Sequence, residues 1–218
     1  MASTIQVDKI TDIGGNTMLE SNGSGTITGL PASAVSSGTI ATARLGSGTA
    51  SSSTFLRGDQ TYAVAGEANT PAFSVQLGFN QSQSVSDATN TKVELDSEYF
   101  DTDSAFDATT NYRFTVPSGK AGKYFFSWGI YLYQTTITNL QNTEALLYLN
   151  GSRYIGANFV FQNSYARYHT HGSQAFLNLS VGDYIELYGT VNTVNGAGSP
   201  EFYGGDRATF LTGFRVTE

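Results

Sequence analysis

The chain has 218 residues, a formal net charge of −7, only 13% charged residues and no cysteine. That length allows one self-sufficient domain with an appendage. The acidic balance excludes a nucleic-acid binder, the missing cysteines exclude disulfides and thiolate metal sites, and no apolar run reaches the roughly 18 residues of a membrane span.

Residues 1–66 differ in texture from the rest. Ser3 to Ile10 alternates, with Ile5 and Val7 on one face, and reads as a short strand followed by turn material from Asp12 to Thr17. From Ser21 to Ser53 the chain is nearly all Ser, Gly, Thr and Ala, broken by Ile27, Leu30, Val35, Ile40 and Leu45. Alone, such a stretch buries too little apolar surface to offset its ordering entropy. It is either a flexible linker or an arm that becomes ordered against another subunit, and the spaced aliphatics favour the arm. Phe55 and Leu56 close it, and Arg57-Gly58-Asp59 behind them reads as a turn.

From Pro71 onward, alternating strands are separated by turn signals. Pro71–Phe79 puts Phe73, Val75, Leu77 and Phe79 on one face, Lys92–Leu95 is short, and Asp101–Thr110 reads as a polar loop holding Phe106. Tyr112–Val116 stops at Pro117-Ser118-Gly119. The stretch Gly122–Tyr133 then organises the rest. One row is Tyr124, Phe126, Trp128, Ile130 and Leu132; the other is Phe125, Ser127, Gly129, Tyr131 and Tyr133. A strand that is apolar on both sides needs two covers, one from its own core and one from a second subunit. Thr143–Leu149 and Arg153–Phe161 flank Asn150-Gly151, a strong hairpin signal, and Ala166–Leu179, Asp183–Val191 and Arg207–Thr217 complete the set. Eight to ten strands without a helix-period segment predict an all-β sandwich or barrel over residues 67–218.

Two resemblances carry this further. The run from Leu30-Pro31-Ala32 through Gly38-Thr39-Ile40, Ala43-Arg44-Leu45-Gly46 and Thr54-Phe55-Leu56-Arg57-Gly58-Asp59 to Ala63 resembles a stretch recurrent in tailed-bacteriophage fibre and virion proteins. The Ser3–Ile10 opening is similar to N-termini of structural proteins in aquatic phages. Further on, Phe114-Thr115-Val116-Pro117, Gly122-Lys123-Tyr124-Phe125-Phe126-Ser127-Trp128, Leu179 to Leu187 with its Gly182-Asp183, and Phe210-Leu211-Thr212-Gly213-Phe214 resemble, in order, the C1q/tumour-necrosis-factor signature. The segment Ser118–Ala121 is about two residues longer than that pattern, which affects a turn. The likeness implies a ten-stranded jelly roll that trimerises through an aromatic axis. Core and interface would draw on Tyr124, Phe126, Trp128, Tyr131 and Tyr133, with Tyr184 and Tyr188 from the Asp183–Val191 strand.

Candidate sites are few. His169 and His171 share one face of a predicted strand, and three copies at a trimer axis would offer six imidazoles for a transition metal; a partly exposed strand edge is the plainer reading. Asp101, Asp103, Asp107 and Glu98 lack the Gly and closing Glu of an EF-hand and read as loop acids. No Gly-x-Ser-x-Gly elbow or phosphate loop is present, so neither catalysis nor a cofactor is expected. The loops Thr135–Asn142, Gln162–Gly172 and Asn192–Gly205 are expected at the rims, where Tyr165, Tyr168, Phe202 and Tyr203 would stack on sugars or pack on a neighbour.

The sequence therefore points to a homotrimeric virion protein, anchored by residues 1–66 on a major capsid protein or on tail or baseplate proteins. Decoration of a capsid and presentation to a host receptor are both open. The lack of heptads or shaft repeats favours decoration, and the arm's likeness to fibre proteins favours the receptor reading. The N-terminus lacks the basic and apolar regions of an export signal, so release by lysis is expected over a secreted ligand or lectin.

Overall fold

The computed structural model describes residues 7–20, 24, 45–64, 69–162 and 164–216. Ile5, Ile27, Leu30, Val35 and Ile40, expected in the anchoring arm, lie outside these residues. The chain divides into two units, Met1–Gly66 and Glu67–Glu218.

Among its described residues the first unit shows two small hairpins. β1 (Lys9–Thr11) pairs with β2 (Thr17–Glu20) around a turn in which the Asp12 carboxylate accepts the Asn16 backbone N–H at 2.8 Å and its Nδ2 at 2.9 Å. Those bonds hold the Asp12 carboxyl below its ordinary range. β3 (Thr54–Leu56) pairs with β4 (Tyr62–Val64), and the Arg-Gly-Asp tripeptide is the turn between them. Arg57 N–H donates to the Thr61 carbonyl at 2.8 Å, while the Asp59 carboxylate takes the Thr61 backbone N–H and hydroxyl at 3.0 and 2.7 Å. Val7, Leu45, Phe55 and Leu56 are all exposed. A two-stranded hairpin is marginal by itself.

The second unit is an all-β sandwich of two antiparallel sheets. Its strands are β5 (Ala72–Gln76), β6 (Ser82–Ser84), β7 (Thr91–Lys92), β8 (Ser97–Asp101), β9 (Phe106–Asp107), β10 (Arg113–Thr115), β11 (Gly122–Gln134), β12 (Leu140–Leu149), β13 (Ser152–Val160), β14 (Tyr168–Leu179), β15 (Tyr184–Thr193), β16 (Pro200–Tyr203) and β17 (Phe210–Arg215). β11 pairs with β14 along its length; its other side takes β17 and then β16, with β5 and β8 beyond β17 and β6 beyond β16. The opposing sheet runs β13-β12-β15, then β10 and β7 beside β15, with β9 outermost. The strand count exceeds eight to ten because β6 and β9, at two or three residues each, are too short to show an alternating pattern, and β16 lies within the stretch expected as a rim loop. Ser97–Asp101, unassigned from sequence, pairs with β5 across a register shift that breaks its alternation.

Between the sheets, Tyr124, Phe126, Trp128, Ile130 and Leu132 of β11 are all buried among Phe73, Phe114, Leu147, Leu187 and Phe202. Phe73 stacks on Phe114 at 4.9 Å. Trp128 Nε1–H donates across the sandwich to the Ala145 carbonyl at 3.3 Å, tying the two sheets together. Tyr124 Oη–H donates to the Lys120 carbonyl at 2.6 Å, and burial pushes its phenol up to about 12. Leu77 is the last of its row to reach this core. The chain turns at Gly78, whose N–H donates to Asp96 at 2.8 Å, and Phe79 is left exposed where alternation had placed it inside.

Candidate functional site

The outward face of the seven-stranded sheet is lined with aromatic side chains. Register explains its composition. Phe125 on β11 stands opposite Phe176 of β14 on one side and Phe214 of β17 on the other, with ring centroids 5.0 and 5.4 Å apart. Phe176 is 68% exposed and Phe100, on β8, 44%. Phenylalanine has no polar atom to satisfy in water, so this end of the face suits a dry contact.

Midway, small residues interrupt the aromatics. Gly129 faces Gly172 across β11 and β14; a Cβ on Gly129 would stand 2.8 Å from the Phe210 ring, so glycine lets that ring lie over the sheet. Beside it, Tyr99, Phe100, Arg207, Phe210 and Thr212 line a depression of about 440 Å³, with the Arg207 guanidinium 5.3 Å over the Tyr99 ring.

At the far end the aromatics become tyrosines. Tyr131 lies edge-on to Tyr168 at 6.3 Å and to Tyr203 at 5.5 Å, and Tyr133 lies 6.2 Å from Tyr203. Arg167 supports them: Nε–H donates to the Gln134 carbonyl at 3.2 Å, and Nη2–H to the Thr135 carbonyl at 2.7 Å and the Tyr133 hydroxyl at 3.1 Å. Below, Tyr131 N–H donates to Thr209 Oγ1 at 2.9 Å, and that hydroxyl donates to the Tyr203 carbonyl at 2.6 Å, fixing the β16–β17 junction. Together Tyr131, Tyr133, Arg167, Tyr168 and Tyr203 line an open cavity of about 370 Å³. Burial, then the neighbouring Tyr168 and Asp206, raises the Tyr131 phenol.

Several expected site residues lie elsewhere. Tyr184 and Tyr188 sit on the outward face of the opposite sheet, because Ile185, Leu187 and Val191 of β15 point into the core. There Tyr188 stacks on Tyr148 at 4.0 Å, Lys92 bridges to Glu186, and Arg113 covers Tyr184 at 4.3 Å. No single axis gathers these two with Tyr131 and Tyr133. Phe202 is a fully buried strand residue, its ring filling the space that Gly189 leaves open, so it is no rim contact. Tyr203, one residue on, points the other way into the tyrosine cavity, and Tyr165 and Tyr168 are exposed.

His169 and His171 do share one face of β14, but it is the inward one, at the sandwich's open edge against β13. His169 lies 4.3 Å from the Phe159 ring and 4.9 Å from His171, whose Nε2 is 3.3 Å from the Ala157 carbonyl. An axis site on the outward face would not meet them. Burial lowers both imidazoles; for His171 the His169 ring adds to this, while the Ala157 bond and Glu144 oppose it. The acids near Phe106 organise turns. Asp101 accepts the Phe106 N–H at 2.7 Å, and Asp107 takes three consecutive backbone N–H groups from Thr109 to Asn111, which holds its carboxyl far below the usual range.

What the fold defines is an all-β sandwich of two antiparallel sheets. No family model matches the sequence, and no curated protein does. Among solved structures the chain is similar to the globular domain of a zebrafish complement 1qA protein, with TM-score 0.45 and 17% identity over 68% of this chain and 99% of that one. It is similar also to the Eiger TNF of S. frugiperda (0.48, 13%, covering 67% and 92%) and to murine APRIL (0.47, 13%, covering 66% and 99%).

Proposed function

We propose that this chain is a homotrimeric bacteriophage virion structural protein, a capsid decoration or short head-fibre protein on the outer surface of the particle. Residues 1–66 anchor it to a major capsid protein, and residues 67–218 are displayed outward. One observation carries the assembly: a phenylalanine cluster on an otherwise finished sandwich, with Phe176 68% exposed. The same unit exposes a second, unlike apolar surface at the β13 edge, through Ile155 and Phe159. Two unlike surfaces on one chain form a head-to-tail contact, which closes into a ring when the rotation allows. The anchoring reading is supported by the arm's resemblance to virion proteins and by the exposure of Val7, just before the first hairpin, and of Phe55 and Leu56 on the second. Three arms on one particle gain avidity from effective concentration.

A tail-fibre protein that binds a host receptor is the second reading, favoured by the tyrosine cavity. Sedimentation equilibrium on the full chain tests the assembly; the expected mass is three chains, and a monomer at micromolar concentration rejects it. Immunogold labelling of intact particles tests placement, with label over heads expected for decoration and over tails for the alternative.

A further inference from the structure

The outward face of the seven-stranded sheet is chemically divided, and the division assigns its two ends different work. The phenylalanine rings carry no hydroxyl of their own, and the Ser74 and Thr212 hydroxyls beside them are paired with each other at 3.0 Å. The tyrosine end has, on each ring, an apolar face and a hydroxyl. Because Tyr131 meets Tyr168 and Tyr203 edge-on, at 76° and 78°, the rings splay around the cavity and do not seal one another. Hydrogen-bonding capacity is left over. Among the described residues the Tyr131 and Tyr168 hydroxyls have no partner, and the Tyr133 hydroxyl, which accepts from Arg167, still has its own proton to donate. A volume of about 370 Å³ is near the lower end of small-ligand cavities.

Aromatic faces bordered by hydroxyls and one guanidinium match a sugar ring, whose C–H face is apolar and whose rim is hydroxylated. Charge narrows the class. Arg167 is the only cation in the lining, and two acids stand near the tyrosines: Glu201 is opposite Tyr133 in the β11–β16 register, and Asp206 is close enough to help raise the Tyr131 phenol. The whole chain carries −7. A carboxylate-bearing ligand would meet as much repulsion as attraction here. We infer that the Tyr131–Tyr133–Arg167–Tyr168–Tyr203 cavity binds a neutral saccharide, stacked on Tyr168 and hydrogen-bonded by Tyr131 and Arg167. This deepens the receptor-binding reading and requires only that the tyrosine end stay open when the phenylalanine end is covered.

The test uses the full chain against an array of neutral gluco-, galacto-, manno- and N-acetylglucosamine oligosaccharides, with uronic and sialylated oligosaccharides of matching length beside them. Binding to at least one neutral class is expected, together with weaker or no binding to the acidic ones. Tyr168, 62% exposed, is replaceable without disturbing the core. Tyr168→Ala should weaken binding about tenfold, whereas Tyr168→Phe, which keeps the stacking face, should retain most of it. No binding to any neutral class, stronger binding to acidic ones, or indifference to Tyr168→Ala would each overturn the assignment. So would a fall in sedimentation mass for Tyr168→Ala, which would make these tyrosines a subunit contact. A trimer that binds no sugar leaves the assembly standing and removes the cavity's role; a monomer that binds sugar does the reverse.

Discussion

Replacing Phe176 by serine separates a covered face from a free one. At 68% exposure, and with about 200 Å² for a phenylalanine side chain, about 140 Å² of apolar surface meets water in the single chain. At about 25 cal/mol per Å², covering it contributes about 3.5 kcal/mol, which ordering of the side chain reduces to about 2–3 kcal/mol per subunit. Phe176→Ser should therefore weaken each subunit contact roughly 30- to 150-fold. In the isolated subunit the change removes only a surface group and should shift folding stability by no more than about 0.5 kcal/mol. Sedimentation velocity across a concentration series reads the first effect, and urea unfolding at a concentration where the parent is also dissociated reads the second. A variant that holds its parent's mass throughout would refute the reasoning, since a phenylalanine ring two-thirds open to water would then lie outside the contact. So would a variant whose monomer unfolds several kcal/mol earlier, because Phe176 would then be serving the sandwich itself.

Three further outcomes follow from the core and the open edge. Trp128→Ala removes the largest buried side chain and its bond to the Ala145 carbonyl between the sheets, and should cost about 3–5 kcal/mol in urea unfolding; a loss under about 1 kcal/mol would contradict the packing. Gly172→Val would drive a Cβ into the Trp128 carbonyl and to 2.7 Å from the Gly129 Cα, forcing β11 and β14 apart, so a denaturation midpoint equal to the parent's would be incompatible with the register. His169 and His171 are both held below their ordinary value of 6.5, so the unfolded chain takes up protons first as the pH falls. Their contribution to stability is complete above that value and is lost below it. Tm should drop between about pH 7 and about pH 5, and the His169→Gln/His171→Gln double variant should show a shallower drop; parallel curves would exclude the pair as the cause.

Much of the fold was legible in the chain because strand alternation has a period of two, and a strand with one face in a dry core must keep to it. Tyr124, Phe126, Trp128, Ile130 and Leu132 could be placed inside on that ground alone, and β11 could be marked as needing two covers. The Asn150-Gly151 turn and the Arg57–Gln60 turn were readable for a similar reason, since backbone geometry restricts which residues fit there. The same rule failed at Phe79, where the strand ended early, and at β8, where a register shift broke the alternation.

What alternation cannot say is which strands become neighbours, because pairing joins residues far apart in the chain and is settled by the packing of whole sheets. The union of Phe125 with Phe176 and Phe214, and of Tyr131 with Tyr168 and Tyr203, exists only in the register of β11 with β14, β17 and β16. For that reason Arg167 gave no signal of its own, Tyr184 and Tyr188 seemed to belong with tyrosines that lie across the sandwich, and Phe202 seemed to belong to a rim. By itself the sequence determined an all-β sandwich or barrel and the strand at its centre, through the period that burial imposes on side chains. Only the tertiary structure decided which aromatics share a surface, because cross-strand register is set by the packing of both sheets at once.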